Sequence, residues 1–226
     1  MATTQATQAI PTATTRARRR FTVEEYHRMA EAGILGADER VELLDGDVVE
    51  MSPVGDPHVE GVNRCGRAYA AAWAAGRLGV STQNPARLGP HSEPQPDVAL
   101  TPPDVVGAPR LGEVLLAIEV ADTSAADDRA RKVPLYGRAG VPEAWLLDVV
   151  ARRLEVYREP GPDGYAWACT LQPEQQVACE AFPDIVVRVA DLLPPRGLER
   201  FRDPEPEPGQ ERAADRARER GRGLER

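Results

Sequence analysis

The run Val114-Leu115-Leu116-Ala117-Ile118-Glu119-Val120 constrains this chain more than any other segment. It is too short for an ordinary helix and does not alternate apolar with polar side chains, which is the pattern of a strand covered on both faces. Such a strand lies in the middle of a sheet, so the chain must provide further strands beside it and helices above and below. Its single charged residue, Glu119, is then expected inside, where a carboxylate without partners is costly.

The remaining elements follow from local signals. Thr22 and Glu25 form a capping box ahead of Val23, Tyr26, Met29 and Ala30 at helical spacing, predicting a short helix to about Ala32. Val41 to Leu44 and Val48 to Met51 flank Asp45-Gly46-Asp47 and predict a hairpin. Pro57 to Leu78 predicts the long helix, packed through Val59, Val62, Ala70 and Trp73. Short strands are expected at Val80 to Gln83 and Asp97 to Leu100, and Ala125 to Ala139 reads as a helix that Pro134 should kink. Glu143 to Asp148 and Arg153 to Tyr157 make two more strands, and Tyr165 to Leu171, Gln176 to Cys179 and Ile185 to Val189 extend the antiparallel part. The fold class is therefore mixed α/β.

The length of 226 residues accommodates one domain, expected over 21–193, with an N-terminal tail over 1–20 and a Pro-rich linker and charged tail over 194–226. The first segment ends in Arg16, Arg18, Arg19 and Arg20 but lacks the apolar stretch of a secretory signal, leaving a disordered tail or an imitation of a transit peptide. No apolar run approaches the ~18 residues of a membrane span. The three cysteines, Cys65, Cys169 and Cys179, have neither disulfide-framework nor zinc-ligand spacing, so a reducing cytoplasm is expected.

A net charge of −8 argues against a protein that coats nucleic acid through bulk electrostatics, though not against a local groove. Lys132 is the only lysine among the 28 basic residues. Two readings stand: it survives by chance in an arginine-biased composition, or it serves where a guanidinium cannot, because a buried ammonium can lose its proton.

Asp97 and Glu119 open and nearly close short apolar segments. If their strands are neighbours, the two carboxylates converge with the Val120 carbonyl into a partial oxygen shell of the kind Mg²⁺ accepts. Asp128, Lys132 and Tyr136 share one helix face if the helix survives Pro134, and that face points Lys132 at the acids. There it would orient or deprotonate a water and offset transition-state charge. The plainer reading is an Asp128–Lys132 pair on the surface. Glu42 by itself reads as the solvent-facing acid of a half-exposed strand, His58 as a loop or capping residue or a phosphate contact, and Trp145 as core. Tyr136 reads as a packed ring whose hydroxyl reaches the site.

In chain order, Val41-Glu42-Leu43-Leu44-Asp45-Gly46, Met51-Ser52-Pro53 with His58, Gln95-Pro96-Asp97, Ile118-Glu119-Val120 with Ser124, Lys132 with Leu135-Tyr136, Ala139-Gly140-Val141, and Glu143-Ala144-Trp145 before Asp148 resemble the Uma-two family of endonuclease-like proteins. The resemblance spans about residues 21–193. It implies the PD-(D/E)xK nuclease superfamily, with a restriction-endonuclease-like mixed β-sheet flanked by helices, and a Mg²⁺-dependent endonuclease acting on nucleic acid, DNA above all, with Mn²⁺ as a substitute ion. It further implies Asp97 as the motif aspartate, Glu119 as the motif acid and Glu42 as an additional early acid. Where the superfamily usually has a lysine two residues beyond the acid this chain has Ala121, so the role falls to Lys132. Ala144 replaces an aromatic residue that often precedes the tryptophan, a packing difference.

Two other functions stay open at the level of sequence. The net negative charge suits a catalytically silent binding or assembly module on the same fold, and the same acids would serve hydrolysis of a small phosphate ester. A homodimer is compatible with cutting two strands, but no segment marks an interface.

Overall fold

The computed structural model describes residues 18–36 and 38–198; most of both expected tails lies outside the described residues. The helices are α1 (Val23–Glu31), α2 (Asp56–Ala74), α3 (Ala125–Ala130), α4 (Lys132–Arg138) and α5 (Val189–Leu192). The strands are β1 (Val41–Leu44), β2 (Asp47–Glu50), β3 (Gly79–Thr82), β4 (Val98–Thr101), β5 (Leu116–Ala121), β6 (Glu143–Asp148), β7 (Arg153–Gly161), β8 (Gly164–Leu171), β9 (Gln176–Ala178) and β10 (Val186–Arg188).

The central sheet has six strands in the order β3-β4-β5-β6-β7-β8. Its middle strands are β5 and β6, buried along their whole length and paired in parallel, whereas the other neighbours run antiparallel. A parallel pair cannot be closed by a tight turn, and the crossover from β5 to β6 carries α3 and α4. Leu116, Ile118 and Val120 of β5 belong to the core under α2, together with Val98, Trp145 and Leu147. The alternate residues Ala99, Ala117 and Ala144 belong to a second core with Leu135 and Tyr136 of α4 and Leu44 of β1. Glu119 has the parity of Ala117, so the pleat sends its carboxylate toward α4.

The hairpin forms around Asp45 and Gly46, both at positive φ (52° and 86°), as a two-residue turn of this composition requires. The α1 capping box is present in full.

Three expectations need correction. The buried face of α2 is Gly61, Val62, Cys65, Tyr69 and Ala72, while Val59, Ala70 and Trp73 face outward. The reason is Gly61: a Cβ there would sit 2.7 Å from Cγ1 of Val120, so the bare backbone at this point sets which side of the helix meets the sheet. The helix expected over 125–139 is not merely kinked but divided at Arg131 (φ −112°, ψ −58°). Pro134 has no N–H for the Ala130 carbonyl and its ring crowds that position, so a second helix starts at Lys132. Finally, β9 and β10 form a separate antiparallel ribbon instead of lengthening the sheet, and Val189 begins α5. Among the described residues, no helix is long and apolar enough to cross a membrane.

Candidate functional site

Strand register brings the two motif acids together. Val98 pairs with Ile118 and Ala99 with Ala117 in the antiparallel β4–β5 ladder; one further step sets Asp97, just ahead of β4, opposite Glu119. The Val120 N–H donates to Oδ2 of Asp97 at 2.8 Å and fixes that carboxylate at the end of β5. Glu42 arrives on β1, which is tied to the segment before β4 by Leu43 and Glu93. Its Oε2 accepts the Gln95 N–H at 3.0 Å, and its side chain is buried, which excludes the solvent-facing reading.

Lys132 completes the group. Its ammonium lies 3.1 Å from Oε1 of Glu42 and 3.3 Å from Oε2 of Glu119, and all three side chains are buried. The lysine therefore pairs with the strand acids instead of forming a surface pair with Asp128, which is itself buried with Ser124 Oγ donating to it at 2.5 Å. The Tyr136 hydroxyl donates to Oε1 of Glu119. Although the helix divides before Lys132, the α3 and α4 segments still present Asp128, Lys132 and Tyr136 to one place.

Burial raises Glu119 well above the ordinary carboxylate range; Lys132 pulls against it, while Asp97, Asp128 and Glu42 add to it. Burial also disfavours the Lys132 ammonium, but Glu119 and Glu42 outweigh it and hold the group charged. The idea that burial would free this lysine of its proton is thus reversed. Burial raises Tyr136 too, and Glu119 beside it adds to the effect, so the phenol stays a donor. Asp128 is raised chiefly by burial, against the Ser124 hydrogen bond.

His58, on the first turn of α2, points its Nε2 at Oδ1 of Asp97 at 3.0 Å. Burial opposes a charge on the ring, but Asp97 and the Val120 backbone raise its pKa on balance. Gln83 Nε2 approaches the same Asp97 oxygen at 3.4 Å. Sequence reasoning missed Gln83, whose position depends on a positive φ of 51° just after β3. Asp128 was legible through its i,i+4 spacing from Lys132, which put both on one face, although no site role was assigned to it. Glu42, His58, Asp97, Glu119, Asp128 and Lys132 line one cleft enclosing about 70 Å³, with Arg40, Glu50, Asp122 and Asp127 toward its rim.

Among the described residues, no three His, Cys, Asp or Glu side chains stand grouped as a ready metal shell. The Asp97 and Glu119 oxygens are instead held by Val120, His58, Lys132 and Tyr136. The chemistry of the set nevertheless fits a hard divalent cation: oxygen donors dominate, carboxylates outnumber the cations facing them, and Glu119 is destabilised as an anion. Asp97, Glu119 and the Val120 carbonyl are the residues that would hold the ion.

Comparison with known proteins agrees with this architecture. The model of the Uma2 family, described as "Putative restriction endonuclease", matches residues 23–190. Among solved structures the chain is similar to a "putative nuclease belonging to DUF820" from Anabaena variabilis ATCC 29413, with 15% identity and a TM-score of 0.63 over 76% of this chain and 97% of that one. No curated protein matches the chain. The chain therefore belongs to the Uma2 family, and its six-stranded mixed sheet flanked by helices is a restriction-endonuclease-like nuclease fold.

Proposed function

We propose that the protein is a Mg²⁺-dependent endonuclease, with Mn²⁺ as an alternative ion, that hydrolyses phosphodiester bonds of nucleic acid, DNA in the first place. The convergence of Glu42, Asp97, Glu119 and Lys132 in one cleft carries this reading. The rim of the cleft, with Arg40, Glu50 and Asp127, is exposed to solvent, which suits a phosphate presented by a polymer lying across its mouth.

When bound, the cation polarises the phosphate and activates water. Asp97, Glu119 and the Val120 carbonyl would hold it, and the Val120 N–H keeps Asp97 oriented. Lys132, kept as an ammonium, donates to the attacking water and offsets the negative charge that builds on the phosphoryl oxygens. Glu42 anchors that ammonium. Tyr136 holds one Glu119 oxygen, and Lys132 faces the other. Arg40, on the rim, is placed to meet a neighbouring phosphate.

The test is cleavage of supercoiled plasmid, an RNA of the same sequence, and a small phosphodiester, each with and without Mg²⁺. Plasmid cleavage that disappears in Asp97→Ala, Glu119→Ala and Lys132→Ala proteins with unchanged circular dichroism is the expected result. Full activity in the first two variants would end the reading; turnover of the small ester alone would reassign the substrate.

One observation favours a second reading, a catalytically silent binding module: acidic side chains Glu50, Asp122 and Asp127 crowd the rim and repel a polyanion. In that case the protein binds Mg²⁺ no better than an Asp97→Asn, Glu119→Gln double variant.

A further inference from the structure

A water that attacks phosphorus must shed a proton, and Lys132, held as an ammonium, cannot take it. Three acids of the cleft have both oxygens engaged. Glu42 meets Lys132 and the Gln95 N–H, Asp97 meets His58 and the Val120 N–H, and Glu119 meets Tyr136 and Lys132. The His58 ring is itself taken up by Asp97 and the Val120 backbone. Glu50 and Asp127 stand on the exposed rim, Asp127 against Arg131 at 2.9 Å. Asp128 differs from all of these. It is buried, lines the cleft, and has Oδ2 held by the Ser124 hydroxyl. Among the described residues, its Oδ1 takes no hydrogen bond and is not sealed from solvent. One helical turn ahead of Lys132, Asp128 acts on that ammonium electrostatically without forming an ion pair with it.

We propose that Asp128 is the general base that takes the proton of the attacking water, through Oδ1. This rests on the phosphodiester-hydrolysis reading given above and supplies its proton acceptor. A lone pair of the water oxygen forms the new bond to phosphorus, and the bond to the leaving oxygen breaks with its electron pair. The water proton passes to Asp128, the leaving oxygen takes a proton from solvent, and Asp128 then returns its own proton to solvent. The groups facing Asp128 are Glu42 of β1, Asp97 ahead of β4, Glu119 of β5 and Lys132 of α4. Burial makes the carboxylate a stronger proton acceptor than a surface aspartate, and Asp97 and Glu42 add to this; the Ser124 hydrogen bond and Lys132 act the other way. Ser124, at the N-cap of α3, thus fixes one oxygen and leaves the other to receive.

The experiment is single-turnover cleavage of plasmid DNA by the full chain at saturating Mg²⁺, from pH 5 to pH 9. Asp128→Asn is expected to lower the rate about 10²-fold or more and to flatten its rise with pH, while binding of DNA and of Mg²⁺ stays unchanged. Ser124→Ala keeps the base but removes a hydrogen bond that lowers its pKa, so the rise is expected at higher pH. A rate in Asp128→Asn within about threefold of wild type overturns the role. So does a slower Asp128→Asn protein with the rise intact, or the same loss in Asp122→Asn, whose half-buried acid also lines the cleft, with Asp128→Asn unaffected. If Asp128→Asn does not fold, Ser124→Ala decides, because a purely structural Asp128 leaves the rise where it stands. Wild-type protein that cleaves no phosphodiester in Mg²⁺ ends the hydrolysis reading and this role together, whereas wild-type cleavage untouched by these substitutions ends this role alone.

Discussion

Glu119 is the residue on which the energetics of the site turn. Burial, reinforced by Asp97, Asp128 and Glu42 and only partly offset by Lys132, raises its pKa far above the 4.5 of a free glutamate. Without a divalent ion the folded protein then keeps a proton that the unfolded chain has released, so stability declines as pH rises from about 4.5 toward the folded value. Urea midpoints measured in EDTA at pH 5 and pH 8 are expected to fall for the wild type and to fall less for Glu119→Gln; equal slopes would contradict this. Lys132→Ala leaves the Glu42 carboxylate buried without its counter-charge and Glu119 without the group that pulls its pKa down, and a loss of about 3–5 kcal/mol is expected in denaturant unfolding. If the proposed chemistry holds, cleavage by the residual folded protein drops about 10²- to 10³-fold. Tyr136→Phe removes one hydrogen bond to Glu119 and costs about 1–3 kcal/mol, measured the same way. Much of this site was legible in the sequence, because a carboxylate in an apolar strand and a lone lysine are conspicuous. The burial of Glu42 was legible only by resemblance, since a short strand gives no local sign of which face another layer will cover.

At the scale of elements, the division of 125–139 at Arg131 raises the question of what holds α3 in place. Arg129 of α3 grips Glu155 of β7 through two hydrogen bonds of 2.7 Å, and Tyr157 adds a third at 2.6 Å. Burial works against the Glu155 carboxylate, but these donors prevail and lower its pKa. Its contribution is therefore complete above the unfolded value near 4.5 and lost as pH falls through the lowered one. Glu155→Gln is expected to cost about 1 kcal/mol at pH 7, with the difference from wild type closing toward pH 3. Gly61→Ala, by pressing α2 off Val120, is expected to lose about 1–3 kcal/mol and to disturb the His58 side of the cleft. The central place of β5 could be argued from its apolar run, whereas the α2 face could not. Val59 and Trp73 look like core by hydrophobicity, and only the approach at Gly61 shows why Tyr69 and Cys65 take that place. The separate β9–β10 ribbon was illegible for a similar reason: short strands do not announce their partner.

The whole molecule is acidic, with a net charge of −8 and an isoelectric point near 5.1. The net charge opposes long-range attraction to a nucleic-acid backbone, and the cleft adds its own carboxylates. Fluorescence anisotropy with labelled DNA and the Lys132→Ala protein is therefore expected to show binding at physiological salt only when Mg²⁺ is present; equally tight binding in EDTA would refute this. The parallel pairing of β5 with β6 has one more consequence, for the order in which the chain assembles. The β4–β5 hairpin is local in sequence, but closing it alone would dehydrate Asp97 and Glu119 with no ammonium nearby, because Lys132 arrives only on the crossover to β6. A nascent chain that ends before the crossover is expected to keep this hairpin open to water while its acids are ionised. Sealing the strand and docking α4 are then expected to occur as a single phase in refolding, and a separate early phase in stopped-flow fluorescence would refute this.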